Sequence, residues 1–305
     1  MNKQKLAVVT GAFSYQGKYI TRILLEKGYK VRTLTGHPNR PNEFGGRVEA
    51  VQFHFDEPAE LVDDLKGADV LFNTYWVRFN YSQTTYGQAV ANTQNLIRAA
   101  KEAEVGRFVH ISITKPSLDS LFPYFRGKAV LEKTLCDSGL SYAIVRPTAM
   151  FGKEDILINN ITWLLRRSPV FGIFGKGDYR IQPVFVGDVA ALAVALSESE
   201  ENVTVDAVGP ETYAFADLVR LLKQRIGSKT IIANVPPMFT WMVSLALNPI
   251  VGDVVITRDE IGGLMNDLLV SEAPPTCTTR LSEWTREHAA ELGTVYSSEL
   301  ARHFR

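Results

Sequence analysis

An α/β fold, with a doubly wound parallel sheet and a smaller C-terminal lobe, is predicted by three observations. The apolar run Leu6-Ala7-Val8-Val9 breaks at a glycine turn and passes straight into a helix-patterned segment. Strand-like and helix-like stretches then alternate up to about residue 147. At 305 residues, 46% hydrophobic and 22% charged, the chain is long enough for a full core with an appendage.

The elements justify themselves in order. The first strand ends in Thr10-Gly11-Ala12-Phe13-Ser14-Tyr15-Gln16-Gly17. Gly11 permits a sharp turn, and Gly17 permits a helix to lie close to the sheet, so the first helical N–H groups can face a pyrophosphate. The spacing is Gly-x-x-Ser-x-x-Gly, with Ser14 in place of the usual middle glycine. A helix over 18–27, carrying Ile20, Ile23 and Leu24 on one face, stops at Gly28, a suitable C′ residue. A second strand covers 30–35. Val51, Phe53 and Phe55 alternate as a third, and 58–65 is helical with Pro58 in its tolerant first turn. A fourth strand over 70–73 ends at Asn73. A helix over 85–103, a strand over 107–112, a helix over 124–137 and a strand over 142–146 before Pro147 complete two α/β halves. Beyond them, helices are expected over 156–165, 188–196 and 214–226, the last capped by Thr212, with a strand over 203–207. The pattern is that of a Rossmann-type sheet, with a dinucleotide-binding domain at 1–150. An interwoven substrate lobe at 151–305 returns strands and helices to it.

A dinucleotide is thus the expected cofactor, held by Gly11, Phe13, Ser14, Tyr15, Gln16 and Gly17, with Asn73 and Pro147 at neighbouring strand ends. Which dinucleotide depends on the end of the second strand, where an NAD site usually carries an acid for the ribose 2′-hydroxyl. Here the chain reads Thr33-Leu34-Thr35-Gly36-His37-Pro38-Asn39-Arg40, with no acid. Arg40, with Thr35 and His37 as hydrogen-bonding groups, tilts the expectation toward NADP, with NAD the alternative; a solvated Arg40 in a loop is the competing reading. Asp56 is placed either to meet the adenine edge or to cap the next helix.

A second constellation is Tyr124-Phe125-Arg126-Gly127-Lys128. Residues four apart share a helix face, so the Lys128 ammonium can favour the Tyr124 phenolate and make Tyr124 a general acid/base. Ser112 and Thr114, at the end of the preceding strand, could orient a substrate oxygen or merely satisfy the strand end.

Composition narrows the partners. Thirty-three basic residues balance 33 acidic ones, which gives no electrostatic argument for nucleic acid or an acidic membrane surface. Scattered histidines without a His-Glu-x-x-His pattern offer no metal site. Cys136 and Cys277, far apart, read as reduced thiols in a cytoplasmic setting. The short N-terminal apolar run does not fit a signal peptide, and no segment reaches the ~20 apolar residues of a membrane span. The apolar stretch from Pro236 to Leu247 fits a substrate lid, a homodimer contact or a peripheral membrane contact; burial within the chain or between subunits is the expectation.

The segments VTGAFSYQG, FVHIS, YFRGKAVLEKTL, IVRPTAMFGKEDIL and QPVFVGDVA resemble atypical or extended short-chain dehydrogenases/reductases. They are most similar to the branch of NAD(P)-dependent epimerases/dehydratases that includes NmrA-like proteins and the nucleotide-binding accessory subunit of respiratory complex I. The resemblance covers about residues 5–210. It implies catalytic roles for Tyr124 and Lys128, with Lys128 also on the cofactor ribose, a cofactor-side role for Pro147, and Asp188 opening a helix near the substrate lobe. It also places Arg146, Arg166, Arg167 and Arg180 in the region where such relatives hold the diphosphate of a nucleotide sugar, although a solvated helix end is the commoner explanation for them. Ile113 stands where epimerases have a serine, leaving Ser112 or Thr114 as substitute. The implied activity is an NAD(P)-dependent oxidoreductase or epimerase acting on a small carbonyl or alcohol. The alternative is a redox-inactive NAD(P)-binding sensor or complex-assembly subunit.

Overall fold

The computed structural model describes residues 4–303. β1 (Leu6–Thr10) and β2 (Lys30–Thr35) run parallel, Leu6 opposite Lys30 and Thr10 opposite Leu34. Between them α1 (Gly17–Glu26) buries Ile20, Thr21 and Leu24, the stripe its period dictates. β3 (Val48–Gln52), α2 (Pro58–Leu65), β4 (Val70–Asn73), α3 (Tyr86–Glu102), β5 (Phe108–Ile111), α4 (Pro123–Cys136) and β6 (Tyr142–Pro147) follow. Then come β7 (Ala149–Phe151), α5 (Leu157–Arg167), β8 (Val170–Phe174), β9 (Arg180–Ile181), β10 (Pro183–Phe185), α6 (Val186–Ser197) and β11 (Val203–Ala207). The chain finishes with β12 (Tyr213–Ala214), α7 (Phe215–Arg225), β13 (Ile231–Val235), α8 (Pro237–Val251), α9 (Arg258–Met265), α10 (Leu281–Glu287) and α11 (Glu299–His303).

Seven strands form one sheet in the order β11-β6-β5-β4-β1-β2-β3. The chain builds outward from β1 to β3, then returns to β1's other side with β4. That reversal opens a crevice at the carboxyl ends of β1 and β4, where open α/β sheets bind ligands. Val8, Leu34, Leu71, Phe108 and Ile144, from five adjacent strands, share one core face. Fully buried strands of this kind read as continuous apolar runs, and LAVV and VLF do. Arg107 fastens the returning segment by donating to the Leu196 carbonyl (2.9 Å) and the Glu201 carbonyl (2.6 Å).

The chain divides into two compact units, one running up to Pro147 and including Val189–Asp206, the other Thr148–Asp188 and Ala207 onward. The second has its own apolar core, which includes Phe151, Ile173, Phe174, Phe215, Leu218 and Leu281. There the Tyr179 ring lies 5.1 Å from that of Phe174 and 5.2 Å from that of Phe215. Asp188 accepts from the Thr278 and Thr279 amides (2.9 and 2.8 Å) and from the Thr279 hydroxyl (2.9 Å), which ties this unit's segments together.

Three sequence expectations are corrected. The third strand is Val48–Gln52, because its pairing with β2 ends at Thr35 opposite Gln52. Phe53 and Phe55 lie beyond it and stack on each other at 4.5 Å, with Tyr75 against both, so their apolar alternation reflects an aromatic cluster at the strand's end. Thr212 does not cap α7, whose N-cap is Ala214, since Tyr213 and Ala214 pair with β9 first. Finally, the 238–247 stretch is not covered by the rest of the chain. Trp241 packs against the second unit's core, whereas Met238, Phe239 and Met242 are more than half exposed. Hydropathy marks a helix that avoids water but does not say what covers it.

Candidate functional site

The turn after β1 is built by close backbone contact. Gly11 has φ +70°, in the left-handed region, and its N–H donates to the Leu34 carbonyl (2.8 Å), which pins the turn to β2. The Ser14 N–H donates back to the Gly11 carbonyl (2.8 Å). A side chain at position 17 would bring its Cβ within 2.1 Å of that same carbonyl oxygen, so only glycine lets α1 start here. Ser14 Oγ accepts from the Gly17 N–H at 3.4 Å, a weak cap in place of the usual middle glycine. Thr33 Oγ1 receives the Ala12 N–H (2.9 Å) and donates to the Val9 carbonyl (2.8 Å), an additional pin that the sequence did not flag. Phe13 stacks on Phe44, Tyr15 meets Tyr19 edge-on, and the Gln16 amide nitrogen is buried with no protein acceptor. α1 has no acidic residue in its first turn. A tight backbone cradle and a helix N-terminus without a competing carboxylate fit a dinucleotide pyrophosphate.

At the end of β2, Thr35 is buried and its hydroxyl accepts from the His37 N–H (3.2 Å). His37 and Arg40 sit together in the following turn, where the Arg40 N–H donates to the His37 carbonyl (3.1 Å). Space is open around Gly36, with nothing within 4 Å of a Cβ built there. The next acid along, Glu43, is engaged by the Arg22 guanidinium through two hydrogen bonds, one of 2.7 Å. Asp56 is exposed beyond β3. Asn73 turns inward: its carbonyl oxygen receives the Thr10 hydroxyl (3.1 Å) and the Tyr75 N–H (3.2 Å), and its amide nitrogen meets His110 Nδ1 (3.1 Å). It thereby locks the ends of β1, β4 and β5. Pro147 closes β6, and its carbonyl accepts from the Thr114 N–H (3.0 Å).

Tyr124 and Lys128 open α4, with Pro123 at the first helical position. Tyr124 lies in the first turn, where the unpaired helical N–H groups favour a developing phenolate. Lys128 is buried and donates to the Ile111 carbonyl at 2.7 Å, which sets its ammonium at the carboxyl end of β5. Its Nζ also lies 4.6 Å from the Trp76 ring centroid. Trp76 meets Tyr124 edge-on at 5.6 Å and stacks with Tyr86 at 6.2 Å, so one indole touches both members of the Tyr-Lys pair. Gly127 makes room for it, since a Cβ there would come within 2.8 Å of the indole. Ser112 and Thr114 are buried, and both hydroxyl oxygens are without a protein partner. So are Trp76 Nε1 and His110 Nε2. Sequence reading missed Trp76 and His110; the glycine inside Tyr-x-x-Gly-Lys and a histidine inside an apolar strand were the available signals.

Burial draws Lys128 down from 10.5 to about 7, partly offset by Glu132, which Arg146 grips through three hydrogen bonds. Burial, and then the Lys128 charge, hold His110 well below its ordinary 6.5. These shifts carry a stability prediction. Between pH about 7 and 10.5 the unfolded chain keeps a lysine proton that folded Lys128 has released, so stability rises with pH across that window. His110 has the same sign in a lower window, with stability lost as pH falls below 6.5. Lys128→Met is expected to flatten the upper slope and to weaken the lower one only in part, since burial remains the larger cause of the His110 shift, as read by urea unfolding at a series of pH values.

Among the described residues no cluster of three or more His, Cys, Asp or Glu could hold a metal, and no helix is long and apolar enough to cross a membrane. Cys136 and Cys277 are free thiols. The four arginines weighed for a diphosphate are engaged within the protein: Arg146 with Glu132, Arg166 with the Leu292 and Ala289 carbonyls, Arg167 with those of Gly293 and Thr294, and Arg180 with Asp267.

A family profile described as NAD(P)H-binding matches residues 11–161, from the first glycine of the turn into α5. Subunit 9 of the NADH dehydrogenase [ubiquinone] 1 alpha subcomplex from Rattus norvegicus is 31% identical over 291 residues, covering 88% of this chain and 74% of its own. The chain belongs to the NAD(P)H-binding short-chain dehydrogenase/reductase family. It is also 26% identical to a ceramide reductase of Caulobacter vibrioides, over 76% of this chain and 74% of that one. The fold matches that of the NADPH-dependent quinone oxidoreductase of Escherichia coli with a TM-score of 0.73 at 20% identity, covering 92% and 99% of the two chains. The turn at Gly11 to Gly17 thus belongs to an NAD(P)H-binding domain.

Proposed function

We propose that this chain is an NAD(P)H-dependent oxidoreductase that interconverts a small carbonyl compound and its alcohol, with Tyr124 as the proton donor and acceptor. The observation that carries the reading is the group of buried polar atoms at the carboxyl end of β5. Ser112 Oγ and Thr114 Oγ1 lack protein partners, and the Lys128 ammonium is fixed beside them on the Ile111 carbonyl. Buried hydroxyls without partners are costly, and a ligand oxygen would satisfy them. Bound nicotinamide supplies or takes up the hydride. As a carbonyl is reduced, the Tyr124 hydroxyl donates its proton to the forming alkoxide, Ser112 or Thr114 orients that oxygen, and Lys128 with the first turn of α4 stabilises the phenolate left behind. A dinucleotide's negative charge nearby favours the charged form of Lys128. The test is a screen of aldehydes, ketones, quinones and nucleotide sugars for loss of NADPH absorbance, and an empty screen overturns the reading.

NADP(H) is the favoured cofactor, because Thr35, His37 and Arg40 gather at the end of β2 and the nearest acid, Glu43, is taken up by Arg22. Arg40→Ala is expected to weaken NADPH by about tenfold and NADH little, since one charge-assisted contact to a 2′-phosphate is lost. Calorimetric titration of both cofactors decides it, and equal losses would remove the preference.

A second reading has its own support. Trp76 lies across both Lys128 and Tyr124, and a relative covering most of this chain is a subunit of a multiprotein NADH dehydrogenase. On that reading the same site binds NAD(P)H without turnover and the bound cofactor alters affinity for a protein partner.

A further inference from the structure

We infer that the exposed face of α8 is a membrane-surface contact that lies in the outer layer of a lipid bilayer. The helix, PMFTWMVSLALNPIV, has no charged residue in 15 positions. Met238, Phe239, Met242, Val243, Leu245 and Ile250 are between 41% and 75% exposed. At 3.6 residues per turn these six positions span an arc of about 160° of the helix circumference. The rest of the helix is fastened to its own unit: at the border of the face Trp241 packs on the apolar core, and on the far side buried Ser244 reaches the Ile256 carbonyl (3.4 Å) and the Asn248 side-chain oxygen accepts from the Val255 N–H (2.9 Å). The apolar face is therefore held outward by the fold and is not a frayed terminus.

The shape of the face selects its occupant. Two convex helices meet along a seam only two rows wide, so a second copy of α8 would cover part of a 160° arc and leave the rest in water. The area is also small. Six roughly half-exposed side chains of ~150–200 Å² each give about 500 Å², short of the ~800 Å² per partner that a stable protein interface buries. Lipid tails conform to the whole arc, and partition into them requires no matching surface. At ~1.5 Å per residue the helix is about 22 Å long, too short to span a ~30 Å hydrocarbon core, and so it lies in the plane. Arg258 borders the face, its guanidinium 3.7 Å from the Trp241 centroid and donating to Met238 Sδ (3.6 Å). A cation and an indole beside an apolar face suit the headgroup level, where aromatic rings and snorkelling arginines collect.

Flotation of the full chain with vesicles of phosphatidylcholine, alone or mixed with phosphatidylglycerol, tests this. The protein is expected to float with both, because apolar burial carries the contact, and more strongly with the anionic mixture because of Arg258. Phe239→Ser combined with Met242→Ser is expected to cut the bound fraction by about tenfold or more, with melting temperature and NADPH affinity unchanged. Brominated lipid should quench tryptophan fluorescence in the parent protein and much less in Trp241→Phe. Protein that stays at the bottom of the gradient overturns the inference, whether it sediments as a monomer or as a dimer that the double substitution dissolves. So does flotation that survives the double substitution, since another surface would then be responsible.

Discussion

Replacing Tyr124 by Phe is expected to lower turnover on any carbonyl substrate by about two to four orders of magnitude while leaving NADPH affinity within a factor of about two. The substitution keeps the ring, and with it the edge-on contact to Trp76 at 5.6 Å and to Tyr86 at 6.1 Å, so the aromatic packing that shapes α4's first turn is preserved. What is removed is the phenol hydroxyl, and with it the transferable proton. Lys128→Met should behave differently, because the ammonium serves the phenolate and, on the family pattern, the cofactor ribose; both turnover and affinity fall. Steady-state kinetics beside calorimetric titration separates these outcomes. If a substrate is found whose rate survives Tyr124→Phe, another group supplies the proton and the Tyr-Lys pair is a structural remnant. If no substrate is found and Tyr124→Phe changes nothing, the sensor reading gains.

What could be read from sequence divides along physical lines. The strand, turn and helix around Gly11 and Gly17 were legible because their geometry is set within seven residues, by φ and by backbone approach. The order of parallel strands was legible where the central strands β1 and β4 are nearly all apolar. The third strand slipped because Phe53 and Phe55 are apolar for another reason, an aromatic cluster with Tyr75 that lies 20 residues further along the chain. The Tyr124 and Lys128 pair was visible from its helical spacing. The depth of Lys128 was not, since it depends on Trp76, 52 positions earlier, and on a bond to the Ile111 carbonyl across the sheet edge. Asn73 illustrates the same limit: its place at a strand end was legible, but its amide bonds to Thr10, Tyr75 and His110, which join three strand ends, were not. For α8 the sequence showed a helix that avoids water but not that its own chain leaves one face uncovered, because hydropathy reports a preference and the fold decides what satisfies it.

Gly17→Ala is expected to weaken dinucleotide binding by about 100-fold or more and to destabilise the fold by ~2–4 kcal/mol, the cost of overpacking against groups that cannot yield. The added Cβ would lie 2.1 Å from the Gly11 carbonyl oxygen, 2.8 Å from its carbon and 3.1 Å from Ala12 Cα, all of them backbone. Relief requires the turn or the start of α1 to move. Gly11 is held to Leu34 at 2.8 Å and Ala12 to Thr33 at 2.9 Å, so the turn resists and α1 is pushed from the sheet. The pyrophosphate would then lose the helix N-terminus that the turn aims at it. Gly28→Ala is the control. Unlike Gly17, Gly28 has a positive φ, +80°, but nothing lies within 4 Å of a Cβ built there, so the cost is backbone strain of about 1 kcal/mol with cofactor affinity unchanged. Thermal unfolding and NADPH titration of the two variants separate the general cost of losing a glycine from the specific cost of closing the cradle. A Gly17→Ala protein that binds NADPH within about threefold of the parent would mean that the phosphates do not rest on this turn.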